Sequence, residues 1–178
     1  MADSQSTLSV AELDTMPESK ASEVLQACCG ATRWVSEMVR RRPFGTRDSV
    51  LFAADEVWRS LEPSDWLEAF SHHPRIGDRI SASSHADRGS AWASTEQSRV
   101  ARSGQGVREA LAAANREYEQ RFGHIYIVFA TGKSAEEMLA LARERLRNDP
   151  DVELGVAAEE QRKIMRLRLD KLLGEEAR

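Results

Sequence analysis

The chain has 178 residues, close to the usual size of one domain, and its 41% hydrophobic and 30% charged residues provide enough apolar material for a core. Its 25 lysine and arginine residues against 29 aspartate and glutamate residues give a net charge of −4 at pH 7, which argues against a nucleic-acid or anionic-membrane partner. The length predicts a single domain over residues 1–178, in which residues 1–8 are expected to be a flexible N-terminus.

Four segments in the first half of the chain have apolar residues at helical intervals of three and four. Ser9 and Glu12 have the spacing of a capping box at the start of the first segment, and Ser64 can cap the last. Gly30 can break the second segment. The predicted helical segments are Ser9–Met16, Glu18–Arg41, Arg47–Leu61 and Trp66–Phe70.

A polar stretch rich in glycine and serine follows the sequence His72-His73-Pro74 and runs from Arg75 to Ala93. A loop of about twenty residues inside a compact domain is usually functional or mobile. We therefore expect a long loop directly after this His-Pro pair.

Helical patterns return in the second half of the chain, where Ser94 with Gln97 and Ser134 with Glu137 have capping-box spacing. The β-branched and aromatic stretch from His124 to Ala130 is consistent with a short extended piece. The predicted helices are one that starts at Ser94, bends near Gly104 and Gly106, continues with an apolar stripe from Val107 to Phe122 and ends at Gly123, one from Ser134 to about Asn148, and Val152–Leu173. Together these patterns predict an all-α bundle of about seven to nine helices.

Neither a membrane span nor a disulfide framework is expected. The longest apolar run, Ile125 to Ala130, is far shorter than the roughly 18 residues that cross a bilayer. Cys28 and Cys29 are adjacent and are the only cysteines, which excludes a disulfide scaffold and a cysteine-rich zinc site. A cytoplasmic location fits best.

Two motif interpretations receive little support. Thr131-Gly132-Lys133-Ser134 ends like a phosphate-binding loop, but Ile127 stands where that loop needs its first glycine, and a helix cap at Ser134 explains the same residues. Histidine and aspartate residues around the polar loop could be drawn as a metal site, namely His72, His73, His85, Asp78 and Asp87. Their spacing is irregular, so we predict no metal.

Three polar residues have both a structural and a functional interpretation. Pro74 disfavours helical geometry at His73, so the pair is either a helix stop or a fixed imidazole that exchanges protons at neutral pH. Glu96 falls in the first turn of its predicted helix, where the dipole favours a carboxylate. Asn115, on the core-facing side of its helix, is expected to be a structural hydrogen-bonding residue.

Arg168 is the most informative position that periodicity supplies. It lies near the middle of the apolar stripe of the last predicted helix, with Ala157, Gln161, Ile164, Met165 and Leu172. Its guanidinium either extends outward to water or stays buried and meets a carboxylate or an anionic ligand. Periodicity alone leaves both alternatives open.

These residues fall in blocks that together resemble one enzyme family, 2-oxo-4-hydroxy-4-carboxy-5-ureidoimidazoline (OHCU) decarboxylase, which acts in the conversion of urate to allantoin. The blocks occur in family order from about residue 10 to residue 173. They are Phe70-Ser71-His72-His73-Pro74-Arg75-Ile76-Gly77, Glu96-Gln97, Asn115-x-x-Tyr118-x-x-Arg121-Phe122-Gly123-His124-Ile125-Tyr126, Ala130-Thr131-Gly132-Lys133-Ser134, Arg145-Leu146-x-Asn148-Asp149 with Glu153, and Lys163-Ile164-x-x-Leu167-Arg168-Leu169.

The resemblance implies an all-helical fold, a homodimer, and cofactor-independent decarboxylation of a small ureidoimidazoline to (S)-allantoin and carbon dioxide. It implies that the catalytic residues are His73, Glu96 and Arg168. The substrate-binding residues that it implies are Pro74, Ala93, Ser94, Gln97, His124, Ile125, Tyr126, Ile127 and Val128.

The sequence departs from the family pattern at two positions. The family tends to place a serine three residues before the glutamate, where this chain has Ala93 followed by Ser94. A small residue usually precedes the catalytic histidine, where His72 stands here. Two other functions remain as alternatives: a metal-dependent amide hydrolase built on the histidine loop, and a non-catalytic helical adaptor that packs against partners.

Overall fold

The computed structural model describes residues 7–76 and 104–174, and within these two ranges the chain forms eight helices and no strand. The predicted all-α class is therefore confirmed. The helices are α1 (Val10–Thr15), α2 (Glu18–Gln26), α3 (Thr32–Arg40), α4 (Arg47–Arg59), α5 (Pro63–Ser71), α6 (Gln105–Phe122), α7 (Ala135–Arg145) and α8 (Pro150–Leu173).

Local capping explains where several helices begin and end. Ser9 and Ser134 each accept a hydrogen bond from the backbone of the third helical residue, Glu12 and Glu137, whose carboxylates bond back to the cap. Gly123 ends α6 in the left-handed region at φ 75°, which only glycine adopts at little cost. These three predictions from the sequence are confirmed.

The start of α5 differs from the expectation that Ser64 caps it. The helix begins at Pro63, three residues before the expected first helical residue Trp66, and the fixed φ and missing N–H of proline suit that position. The Asp65 carboxylate accepts a hydrogen bond from Glu62 N at 2.9 Å, so the carboxylate at the third helical position stabilises this N-terminus.

The chain divides into two compact units. The described residues of the first unit are 7–65 and 162–174, and those of the second are 66–76 and 104–161. The expectation of a single domain stays a prediction. Of the N-terminus that was expected to be flexible, residues 1–6 lie outside the described part, whereas Leu8 N donates to Leu172 O within the first unit.

The first unit packs α3 against α2 and α4. Trp34 is fully buried and its indole N–H donates to Ala54 O at 3.1 Å. The expected break at Gly30 is confirmed, because α2 ends at Gln26 and α3 starts at Thr32. A buried carboxylate, Asp55, forms ion pairs with Arg162 and Arg166 of α8.

The second unit is built on the packing of α6 against α7. Its core contains apolar residues of both helices together with every second residue of the segment that joins them. The buried members are Leu111, Ala114, Tyr118, Tyr126, Val128, Ala130, Ala135, Met138, Leu139 and Ala142. The joining segment, from His124 to Ala130, has no regular secondary structure, so the expected extended piece has no strand partner in the described ranges.

Candidate functional site

The His-Pro pair stands where α5 ends. His72 N and His73 N still donate to Ala69 O and Phe70 O, at 3.3 and 3.0 Å, after which Pro74 stops the helix. His73 is half-buried, whereas Pro74 is exposed. The structural interpretation of the pair is thus correct, and the same helix stop fixes the backbone on which the imidazole stands.

Two side chains of α6, one turn apart, hold the chain that follows the His-Pro pair. Arg75 donates to both carboxylate oxygens of Glu119, at 2.6 and 2.9 Å. Asn115 Nδ2 donates to Ile76 O, which confirms the structural role expected for this residue. The segment next to His73 is therefore attached at two consecutive residues.

An aromatic cluster places the segment after α6 beside α5. The His124 ring lies 5.2 Å from the Phe70 ring and 5.5 Å from the Tyr118 ring, measured between centroids. Since Phe70 is in the last turn of α5, the start of the His124–Val128 segment lies against the helix that carries His73. The structure therefore brings two of the sequence-predicted parts of the site together within the second unit.

The peptide groups of this segment are bonded to side chains instead of a neighbouring strand. His124 Nδ1 pairs with Ile125 O at 3.0 Å, and Arg145 donates to Ile127 O at 2.7 Å. At Phe129, the N–H donates to Glu160 at 2.7 Å and the carbonyl accepts from Lys133 at 2.7 Å.

The peptide groups of Tyr126 and Val128 make no hydrogen bond with any residue that the structure describes. Both residues are nevertheless buried, at 2% and 4% exposure. Buried peptide groups are almost always paired, so unpaired groups in such a segment are suited to bind an external molecule.

A buried polar network connects this segment to α6, α7 and α8. Arg145 donates to Glu153 at 2.7 Å through Nε, and the second oxygen of Glu153 accepts from Asn148 at 2.7 Å. The phenol of Tyr118 donates to Glu153 and accepts from Arg145. All four residues lie in the sequence blocks that resemble the OHCU decarboxylase family. The sequence nevertheless assigns them no role, because only the folded chain shows that they meet.

The electrostatics of the network follow from its burial. Burial raises the pKa of both Tyr118 and Tyr126 well above the usual value, so both phenols stay protonated. Burial is the largest single effect and would lower the pKa of Arg145. The hydrogen bond to Glu153 and the electrostatic interactions with Tyr118, Glu153 and Tyr126 together outweigh it, so the net shift is upward. Burial also lowers the pKa of His124, which favours a neutral ring.

Comparison with known proteins decides the family. A family model described as OHCU decarboxylase matches residues 14–170. The chain belongs to the OHCU decarboxylase family. It is 35% identical over 153 residues to the uric acid degradation bifunctional protein TTL of Arabidopsis thaliana, an alignment that covers 86% of this chain and 47% of the relative. The chain thus spans about half the length of this curated relative.

Solved structures of similar proteins agree with the family fold. A crystal structure of OHCU decarboxylase in the presence of (S)-allantoin is 35% identical, covers 86% of this chain and 99% of its own, and superposes with a TM-score of 0.74. A crystal structure of (S)-allantoin synthase superposes with a TM-score of 0.67 at 17% identity, covering 93% of this chain and 54% of its own, and shows a similar fold.

Arg168, the arginine of the OHCU decarboxylase motif, lies on α8 in the first unit. It is 6% exposed and lies on the predicted stripe, whose other members Ala157, Gln161, Ile164, Met165 and Leu172 are also buried. The alternative in which its guanidinium extends into water is therefore wrong.

The remaining candidate residues of the family motifs fall on one stretch of chain. Ala93, Ser94, Glu96 and Gln97 lie outside the described residues, as do the helix expected after Ser94 and the loop from residue 77 onward. His85, Asp78 and Asp87 lie outside them too. Among the residues that are described, no group of three histidine, cysteine or acidic side chains is arranged to hold a metal ion.

Within residues 7–76 and 104–174, no helix is both long and apolar enough to cross a bilayer.

Proposed function

We propose that this chain catalyses the cofactor-independent decarboxylation of 2-oxo-4-hydroxy-4-carboxy-5-ureidoimidazoline to (S)-allantoin and carbon dioxide. One observation carries the proposal: the end of α5, next to His73, lies against a buried segment in which peptide groups lack a hydrogen-bond partner among the described residues. Membership of the OHCU decarboxylase family supplies the chemistry. An amide-rich anionic ring is a suitable ligand for peptide N–H and C=O groups.

The reaction needs no redox group. The bond between the ring carbon and the carboxylate breaks and carbon dioxide leaves. The electron pair forms a double bond to the adjacent ring carbon, and the pair of the carbon–nitrogen double bond moves onto the nitrogen, which takes up a proton. A proton is then added to the adjacent ring carbon while the hydroxyl loses its proton and becomes a carbonyl. The protein has to place the substrate, move one proton and stabilise the developing charge.

His73 is proposed to move that proton. An imidazole changes protonation near neutral pH, and general acid–base catalysis typically contributes about 10²- to 10⁴-fold in rate. Glu96 would orient the imidazole or share its proton. Arg168 would bind the anionic substrate through two parallel hydrogen bonds.

The substrate would be bound by peptide groups of the segment from His124 to Val128. Tyr126 and Val128 have the peptide groups that are unpaired among the described residues, and Ile125 and Ile127 are their neighbours in the chain. Pro74, Ala93, Ser94 and Gln97 complete the proposed contacts by their motif positions. Ser94 would provide the hydroxyl that the family usually has at the position of Ala93.

A direct assay tests this function. The purified protein is incubated with freshly generated urate oxidation product, with and without EDTA, and the circular dichroism of allantoin is followed. We expect rapid formation of the S enantiomer that EDTA does not change. Loss of activity with EDTA would support the amide hydrolase instead, and racemic allantoin at the spontaneous rate would support the adaptor.

His73→Ala tests the catalytic residue. We expect a folded helical protein, by far-ultraviolet circular dichroism, that decarboxylates no faster than the spontaneous reaction. His72→Ala is the matched control, because it removes the neighbouring exposed imidazole, and it should retain most activity. Near-normal turnover by the His73 variant would remove that residue from the mechanism.

We also propose a single domain, a cytoplasmic location and a homodimer, all three by analogy with the family. Sedimentation or light scattering should give a mass near twice the 19.9 kDa of one chain. A monomeric mass in an active preparation would contradict the dimer without affecting the decarboxylase assignment.

A further inference from the structure

We propose that Arg145 is a positioning residue for substrate binding. Held in place by Glu153, it fixes the carbonyl of Ile127 and thereby sets the orientation of the peptide groups of Tyr126 and Val128. The inference rests on the proposed function, in which those peptide groups bind the ureidoimidazoline. Arg145 itself would not touch the substrate.

The contacts of Arg145 use the whole guanidinium. Nε donates to Glu153 at 2.7 Å, one terminal nitrogen donates to Ile127 O at 2.7 Å, and the other donates to the Tyr118 hydroxyl at 3.2 Å. The Tyr126 ring lies against the guanidinium, with its centroid 4.9 Å from the central carbon. Arg145 is therefore bonded on every side, with one bond directed to the binding segment.

Burial makes this arrangement rigid. Arg145 is 7% exposed and Glu153 is completely buried. Asn148 and the Tyr118 phenol accompany Arg145 around the Glu153 carboxylate, so the buried charges are paired and hydrogen-bonded. A buried ion pair of this kind tolerates little displacement, since any shift leaves a charge without partners.

The bond to Ile127 O determines the backbone where substrate is proposed to bind. The groups of Phe129 are held independently by Glu160 and Lys133. From Tyr126 to Val128, however, the main chain makes one hydrogen bond with the described residues. It is the bond that Ile127 O accepts from Arg145. Because no strand of the described ranges adjoins it, this peptide can rotate when Arg145 is lost, and the adjacent N–H and C=O groups would then turn away.

A lysine cannot replace this arginine. Three differently directed donors are needed for Glu153, Ile127 O and the Tyr118 hydroxyl, whereas an ammonium is a single point of charge on a flexible stem. Arg145→Lys would keep the ion pair with Glu153 and lose the fixed bond to the carbonyl. We therefore expect Arg145→Lys to affect binding more than folding.

The experiment measures kcat, KM and the affinity for (S)-allantoin in Arg145→Lys and Glu153→Gln. We expect KM to rise about tenfold in both, with kcat reduced less than about threefold, because the reacting groups stay in place. Asp55→Asn is the matched control, because it also converts a buried ion-paired carboxylate to an amide, but in the first unit. It should lower the melting temperature and leave KM unchanged.

A spectroscopic readout covers the case in which a variant does not fold. In the wild-type protein, the amide signals of Tyr126 and Val128 should shift on addition of (S)-allantoin. In Tyr118→Phe, which removes only one hydroxyl from the network, the same signals should shift less at equal ligand concentration. Unchanged shifts in a folded variant would overturn the inference.

The outcomes separate the two proposals. If the wild-type protein forms no allantoin, the proposed function fails and the inference fails with it. If the wild-type protein is active and the Arg145 and Glu153 variants lose stability like Asp55→Asn but keep the wild-type KM, only the inference fails.

Discussion

His73 stands at a helix stop, a structural position that also suits the proton transfer proposed for it. Pro74 forces α5 to stop, and the stop leaves His73 half-buried with its N–H still bonded to Phe70 O. The imidazole therefore stands on a residue just past α5 whose N–H is still hydrogen-bonded to the last turn of that helix. Precise placement of a proton-transferring group is what a general acid–base requires.

At Arg168, we predict that replacement by lysine weakens substrate binding. The substitution keeps the charge but loses the planar fork that binds an anion through two hydrogen bonds. KM should rise by about tenfold or more, measured by initial rates, while far-ultraviolet circular dichroism stays unchanged. Arg166→Lys is the matched control on the same helix, where an unchanged KM is expected; an unchanged KM in Arg168→Lys would contradict its role.

His124 gives a prediction for the pH dependence of stability. Burial lowers its pKa in the folded chain, partly offset by the bond to Ile125 O, so the unfolded chain binds the proton first as pH falls. The free energy of unfolding should therefore fall as pH drops through about 6.5 and level off below the folded pKa.

The variant that isolates this effect is His124→Phe, which keeps an aromatic ring among Phe70, Tyr118 and Phe122. Urea denaturation at pH 7.5 and pH 5 should show a smaller loss of stability on acidification in the variant than in the wild type. Equal losses in the two proteins would mean that His124 does not titrate differently on unfolding.

Helix α6 supports the segment that follows the His-Pro pair. Asn115 and Glu119 lie one turn apart on this helix and bond to Ile76 and Arg75. The Asn115 Oδ1 atom is buried and has no hydrogen-bond partner among the described residues. Leaving a buried acceptor without a partner is costly, so this atom is suited to accept a hydrogen bond from outside the described residues.

Breaking this support should reduce turnover more than stability. For Glu119→Ala we expect kcat to fall about tenfold and the free energy of unfolding to change by no more than about 1 kcal/mol, because Arg75 is largely exposed. Glu109→Ala is the control on the same helix and should retain the wild-type kcat. Among the described residues, the Glu109 carboxylate accepts a hydrogen bond from Gln105. A normal kcat in Glu119→Ala would show that the placement of His73 does not depend on the ion pair between Arg75 and Glu119.

Most helices could be predicted from the sequence because their signals are local. Ser9, Ser134 and Gly123 act within one turn of their own helix, and the apolar stripe around Arg168 is set by helical periodicity. The start of α5 was missed because proline and serine both suit a helix N-terminus, and the back-bond from Glu62 to Asp65 decides between them.

The network around Glu153 could not be predicted in the same way. Tyr118, Arg145, Asn148 and Glu153 come from three helices and the turn between two of them, and no periodicity relates them. The roles of Glu96, Gln97 and their neighbours rest on motif position alone. At the scale of the whole chain, the family follows from residues 14–170, whereas the division into two units follows only from the folded backbone.

Within residues 7–76 and 104–174, no strand pairs with the segment from His124 to Ala130, which affects how such a protein can change. A sheet fixes every rung of a strand through its neighbour's backbone, so one substitution rarely alters a single peptide. Here individual side chains hydrogen-bond to individual peptide groups and fix their orientation. Ligand preference could thus be retuned during evolution one side chain at a time, while the helices that carry those side chains keep their places.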